Sequence, residues 1–141
     1  MIPECIYLIG SLRNPRIPEL AEDLRSRGWE VFDDWHAAGP EADDHWQRYE
    51  EARGHDYITA LDGYAANHVW SYDKTHLDRA SRGVLVLPAG KSGHLELGYL
   101  IGQGKPGYIL LDKPPERWDV MYRFADAVCE TDEELFKALE R

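Results

Sequence analysis

Short, continuous apolar runs, each closed by a turn residue, constrain this chain more than any other feature. Cys5-Ile6-Tyr7-Leu8-Ile9 ends at Gly10, Gly83 to Leu87 opens into a Gly-rich stretch, and Gly107 to Leu111 follows Gly104-Lys105-Pro106. Unbroken apolar runs of this length read as strands buried on both faces, not as half-exposed strands that alternate with polar residues. Trp29 to Phe32 reads as another strand and Ala125 to Cys129 as a short fifth. Helical spacing fills the gaps. Ile17, Leu20, Ala21 and Leu24 mark a helix over Pro15 to Arg27, Leu95 to Ile101 a second, and the Thr131-Asp132-Glu133-Glu134 capping pattern a last one to about Leu139. Strands alternating with helices predict a single α/β domain over residues 1–141. Its expected architecture is a flavodoxin-like or Rossmann-like doubly wound parallel sheet of five strands, with helices on both faces.

Residues 33–80 are harder to divide. They predict a loop from Asp33 to about Asp44, one or two helices between His45 and Ala65, and another from Tyr72 to Ala80. Tyr57, Ile58, Leu61, Tyr64, Ala65, His68 and Val69 form a helical stripe, expected in the core or at a helix-to-helix dimer face.

The formal charge of -10 argues against a nucleic-acid polymer as partner, because phosphates attract basic surfaces. A small anion held by a few local donors remains compatible with it. No apolar stretch is long enough for a bilayer, and Met1-Ile2-Pro3-Glu4 lacks the features of a signal peptide, so a cytoplasmic protein without membrane contact is expected. Cys5 and Cys129 lie in apolar runs and are expected as buried free thiols. Asp33-Asp34-Trp35-His36 and Asp43-Asp44-His45-Trp46 match no metal-ligand spacing. No metal or cofactor is expected. Trp35 or Trp46 either stacks on a base or packs in the core or a dimer contact. His55, His68 and His76 read as structural or exposed.

In a doubly wound sheet, ligands bind beyond the carboxyl ends of the strands where strand order reverses. Two loops leave such ends with unusual chemistry: Gly10-Ser11-Leu12-Arg13 after the first strand, and Gly90-Lys91-Ser92-Gly93 after the third. Each offers glycines, a hydroxyl and a cation, a combination that suits an anion near a helix start. The alternative is that Gly10 and Gly93 only make turns, Ser92 caps a helix and Lys91 is a solvated surface lysine. His94 is a further candidate for ligand contact. Glu96 reads as a first-turn residue of the helix, where the helix dipole would keep its carboxylate ionised.

Ile6 to Arg13, Ser92-Gly93-His94-Leu95-Glu96-Leu97-Gly98-Tyr99 and Gly104-Lys105-Pro106 resemble the nucleoside 2-deoxyribosyltransferase family, which includes the deoxynucleoside 5'-monophosphate N-glycosidases. The resemblance covers Cys5 to Phe32 and Tyr72 to Leu111; the segment from Asp33 to Ser71 matches nothing in it. It implies N-glycosidic chemistry on nucleosides or nucleotides, without a cofactor. It places the nucleophile at Glu96, an acidic partner at Asp73 with Asp78 as the other candidate, and a nucleophile-positioning tyrosine at Tyr7. Substrate contacts would come from Gly10, Ser11, Arg13, Lys91, Ser92, Gly93 and His94. It also implies a homodimer or larger assembly.

The residue types fit the chemistry. A carboxylate stabilises the oxocarbenium-like transition state or forms a glycosyl ester, and a second acid protonates the departing base. Transfer to a base and hydrolysis share this nucleophile. Lys91 stands where many family members that act on free nucleosides carry an acid, and with Arg13 it favours a 5'-monophosphate. Two other classes compete: a nucleotide-binding sensor without turnover, and cleavage of the nicotinamide–ribose bond of NAD.

Overall fold

The computed structural model describes residues 4–141; residues 1–3, on which the reading of the chain's opening rests, lie outside it. Five strands form one sheet: β1 (Cys5–Ile9), β2 (Glu30–Phe32), β3 (Arg82–Val86), β4 (Gly107–Leu110) and β5 (Ala127–Cys129). Every pairing is parallel and the order is β2-β1-β3-β4-β5, the doubly wound arrangement, with its reversal between β1 and β3.

Strand periodicity sorts the core into two layers. Ile6, Leu8, Val84, Val86 and Leu110 pack against α1 (Arg16–Ser26) and α6 (Asp132–Leu139). Tyr7, Ile9, Phe32, Leu85 and Ile109 face the other way, against Leu77 of α4 (Tyr64–Arg79), Ala80 just after it, and Leu97 and Leu100 of α5 (Lys91–Gly102). Cys5 and Cys129 are free and buried. The Thr131 hydroxyl accepts the Glu134 N–H at 3.1 Å, and the Glu134 carboxylate reaches back to the Glu130 N–H at 2.8 Å, so α6 starts as its sequence predicts. No helix among the described residues is long and apolar enough to cross a membrane.

Three expectations about the helices need correction. The segment after β2 is not all loop: a 3-10 turn spans Asp34–Ala38 and α2 runs Ala42–Ala52. Helix α4 starts at Tyr64, eight residues before the predicted Tyr72, because its outer face carries uncharged residues that mask the apolar period. The stripe from Tyr57 to Val69 is not one helix and not core. It breaks at Gly63 between α3 (Tyr57–Leu61) and α4, and Tyr57, Ile58, Leu61, Tyr64 and Val69 are all exposed. The buried side chain of α2 is instead Glu50, whose carboxylate meets His55 Nδ1 at 2.7 Å and closes the corner into α3.

The fit of α5 on the sheet depends on glycines. A Cβ on Gly107 would meet Ile101 Cγ1 at 2.7 Å and Leu97 Cδ1 at 2.9 Å, whereas one on Gly98 meets nothing within 4 Å. Gly107→Ala should therefore destabilise the fold by about 1–3 kcal/mol through overpacking. Gly98→Ala should be neutral or stabilising by up to about 1 kcal/mol, because it only removes a helical glycine. Urea unfolding of both variants checks the contrast; equal effects would contradict it.

Candidate active site

The β1 and β3 carboxyl ends meet at Gly10. A Cβ there would lie 2.9 Å from Ile17 Cδ1 and 3.2 Å from the Val86 carbonyl oxygen, so the absence of a side chain lets the β1–α1 connection cross the end of β3. Beyond it, Ser11 Oγ accepts the Arg13 N–H at 3.1 Å, and Asn14 Oδ1 accepts the Arg16 N–H at 3.0 Å to start α1. The buried Asn14 Nδ2 has no partner among the described residues. His36 Nε2 donates to the Asn14 carbonyl at 3.0 Å and Trp35 Nε1 to the Leu8 carbonyl at 2.8 Å, tying the 3-10 turn to this connection. Trp46 packs edge-on against Tyr57. Of the acids in the two Asp-Asp pairs, Asp33 accepts from Arg25 at 2.7 Å and Asp44 faces Arg13 at 3.4 Å.

The helix containing Glu96 starts at Lys91, not at Leu95. Gly93 lies inside its first turn and packs flush on the sheet: a Cβ there would sit 3.0 Å from Leu85 Cδ1 and 3.2 Å from Ile9 Cγ2. Its role is close packing at the switch point, and the Lys91-Ser92-Gly93 stretch that reads as loop is helical. Glu96 therefore stands in the second turn, out of reach of the dipole effect expected for it.

The charge state of Glu96 is set by burial instead. Tyr7, fully buried in mid-β1, donates its hydroxyl to Glu96 Oε2 at 3.0 Å. Loss of solvent pushes the Glu96 carboxyl from an ordinary 4.5 up to about 7; the Tyr7 hydrogen bond opposes the rise and the nearby Asp73 charge adds to it. Asp73, half-buried on α4, is itself raised to about 6 by desolvation. Burial and the two acids push the Tyr7 hydroxyl far above its usual value, so it remains a hydrogen-bond donor.

Asp78 has a different setting. It accepts from Lys74 at 2.8 Å, from the Tyr99 hydroxyl and from Gln103, clasping α4 to α5, and these donors hold its carboxyl down at about 2. Of the two acids considered for the second role, Asp73 is the one whose charge acts on Tyr7 and Glu96. His94 turns sideways: Nδ1 donates to the Gly90 carbonyl at 2.7 Å, and Nε2 meets the Tyr122 hydroxyl at 2.8 Å. Lys91 and Ser92 are exposed at the start of α5. Arg13 is two-thirds exposed in its contact with Asp44. An aromatic wall absent from the sequence reading backs the pair: Tyr7 packs on Phe32 at 5.0 Å, and Phe32 on His76 at 3.9 Å and on Tyr72 at 5.8 Å. The Tyr72-Asp73-x-x-His76 spacing, which lines one side of a helix, was its available signal.

No family model matches this sequence, and no curated protein matches it. The fold is similar to that of the solved Clostridium botulinum CMP N-glycosidase, BcmB, with a TM-score of 0.58 and 16% sequence identity over 98% of this chain and 100% of that one. The doubly wound α/β fold expected from the sequence is thus shown twice, by the sheet order and by this likeness.

Both carboxyls bind their protons more tightly in the folded protein than in the unfolded chain, so folding stability falls as pH rises from the ordinary carboxylate range through about 7. For Glu96 the shift corresponds to a cost on the order of 3 kcal/mol once it is ionised. Glu96→Gln should raise Tm by several degrees at pH 8 and change it little at pH 5. Calorimetry at the two pH values checks this; an equal effect at both would contradict it.

Proposed function

We propose that the protein cleaves the N-glycosidic bond of a nucleoside 5'-monophosphate, with Glu96 as nucleophile, Asp73 as general acid and Tyr7 holding Glu96 in place. One observation carries the reading: the Tyr7–Glu96 hydrogen bond, made largely out of solvent beside a second raised acid. Two coupled carboxyls with raised values share one proton near neutrality. In the minor form of that pair, with Asp73 protonated and Glu96 ionised, the Glu96 carboxylate attacks the anomeric carbon as the carbon–nitrogen bond breaks. The proton goes to the departing base, and a glycosyl ester remains on Glu96. As positive charge grows on the sugar, the ionised form of Glu96 becomes more favourable and the burial cost is offset. Water then releases the sugar, or a second base takes it. The resemblance in sequence and the likeness to a CMP N-glycosidase both support this class of substrate.

Lys91 at the start of α5 and Arg13 on the neighbouring loop supply the charge for a 5'-phosphate. Arg13 faces Asp44 in an exposed pair. Such pairs contribute only about 0–1 kcal/mol, so an incoming phosphate can displace the carboxylate.

The same reading includes a homodimer. Among the described residues, exposed large apolar side chains crowd α3, α4 and residues 118–124, and none lies on α1 or α6. From Tyr57 to Tyr72 the sole charged residue is Asp62, in a chain of which 30% is charged. Copies with a net charge of -10 repel except where they meet through such an uncharged face.

Chromatography of reactions with a panel of nucleosides and 5'-monophosphates should show free base, with the monophosphate preferred. Glu96→Gln should lower turnover by about a thousandfold or more. No base release from any member of the panel would contradict the reading. For an active substrate, kcat/KM should peak between about pH 6 and 7, where the pair holds one proton. Asp73→Asn removes a neighbouring negative charge and should move the acid limb down. Tyr7→Phe removes the bond that favours the carboxylate and should move it up.

A further inference from the structure

His76 lies one turn beyond Asp73 on the same side of α4. Its ring lies flat on Phe32, with centroids 3.9 Å apart and planes 10° from parallel. Phe32 packs against Tyr7, and Tyr7 holds Glu96. On its other side, Arg79 Nε donates to His76 Nδ1 at 2.9 Å, and Glu30 Oε1 pins Arg79 Nη1 at 2.7 Å. Contacts thus run without a break from an ion pair at the sheet edge to the candidate nucleophile.

The contact with Arg79 settles the tautomer. A guanidinium N–H only donates, so Nδ1 accepts and the ring proton sits on Nε2. A second proton would set N–H against N–H and cation against cation. Burial first and Arg79 next hold the imidazole below its ordinary pKa, against the opposing pull of Asp34 and Glu30. Tyr72 closes the remaining side, edge-on at 4.8 Å.

We propose that His76 is a positioning residue of this site: kept as the neutral Nε2–H imidazole by Arg79, it braces Phe32 against Tyr7 and so fixes the hydroxyl that holds Glu96. Its consequence for rate rests on Glu96 being the reacting group; its consequence for Glu96 itself does not. The brace works while the ring is neutral. Protonation breaks the Arg79 bond and releases the stack.

Two measurements on the full chain test the proposal. Proton–nitrogen correlation spectra at pH 7 should show His76 as the Nε2–H tautomer, with Arg79→Gln moving its titration upward. Carbon-13 titration of Glu96 should move upward in His76→Ala, where Tyr7 is loosened, and return in His76→Phe, which keeps a flat ring in the stack. With an active substrate, His76→Ala should lower kcat by about tenfold or more while KM changes by less than about twofold. His76→Phe should recover most of kcat. An Nδ1–H or cationic His76 at pH 7, or an unmoved Glu96 titration in a folded His76→Ala protein, overturns the proposal. If the wild-type protein releases no base from any substrate, the glycosidase reading fails, and the spectra still decide whether the brace exists.

Discussion

An acid buried against a tyrosine at the switch point of the sheet is the constraint from which the rest follows. Removing a carboxylate from water is costly unless hydrogen bonds or charges compensate it. Here one hydroxyl, that of Tyr7, compensates Glu96, and a second acid, Asp73, works against it. This arrangement lowers stability and is kept in place by the surrounding fold.

The fold brings Tyr7 and Glu96 together by packing, not by loop length. Gly10 lets one connection cross the end of β3, and Gly93 lets α5 begin flush on β1 and β3. Together they put the second turn of α5 over the middle of β1, where Tyr7 points. The helix layer that carries Asp73 and Glu96 also exposes the large apolar side chains of α4, while α1 and α6 on the opposite face expose none among the described residues. The side away from α1 and α6 carries the Tyr7–Glu96 bond and Asp73, and exposes the large apolar side chains of α3 and α4.

Much of this was legible in the sequence, for identifiable reasons. The strands β1, β3 and β4 showed as continuous apolar runs, and α6 showed through its capping box. Tyr7, Asp73 and Glu96, brought together here by three different elements, were named from the resemblance. What stayed hidden depends on tertiary contacts. The start of α5 was obscured because glycine in a first turn reads as loop unless its packing against Ile9 and Leu85 is known. The start of α4 was obscured because Asn67, His68 and Ser71 on its outer face carry no helical signal. The helix dipole expected to act on Glu96 does not reach it, and desolvation, a property of the assembled layer, pushes its carboxyl up instead. The aromatic wall of Phe32, Tyr72 and His76 required β2 and α4 to be neighbours, which the unmatched segment between them did not reveal.

The most direct measurement is carbon-13 titration of the Glu96 carboxyl in the wild-type protein. The account expects a midpoint near 7, well above the ordinary 4.5, as befits a desolvated acid beside Asp73. A midpoint in the ordinary carboxylate range would mean that Glu96 is solvated, and would contradict it.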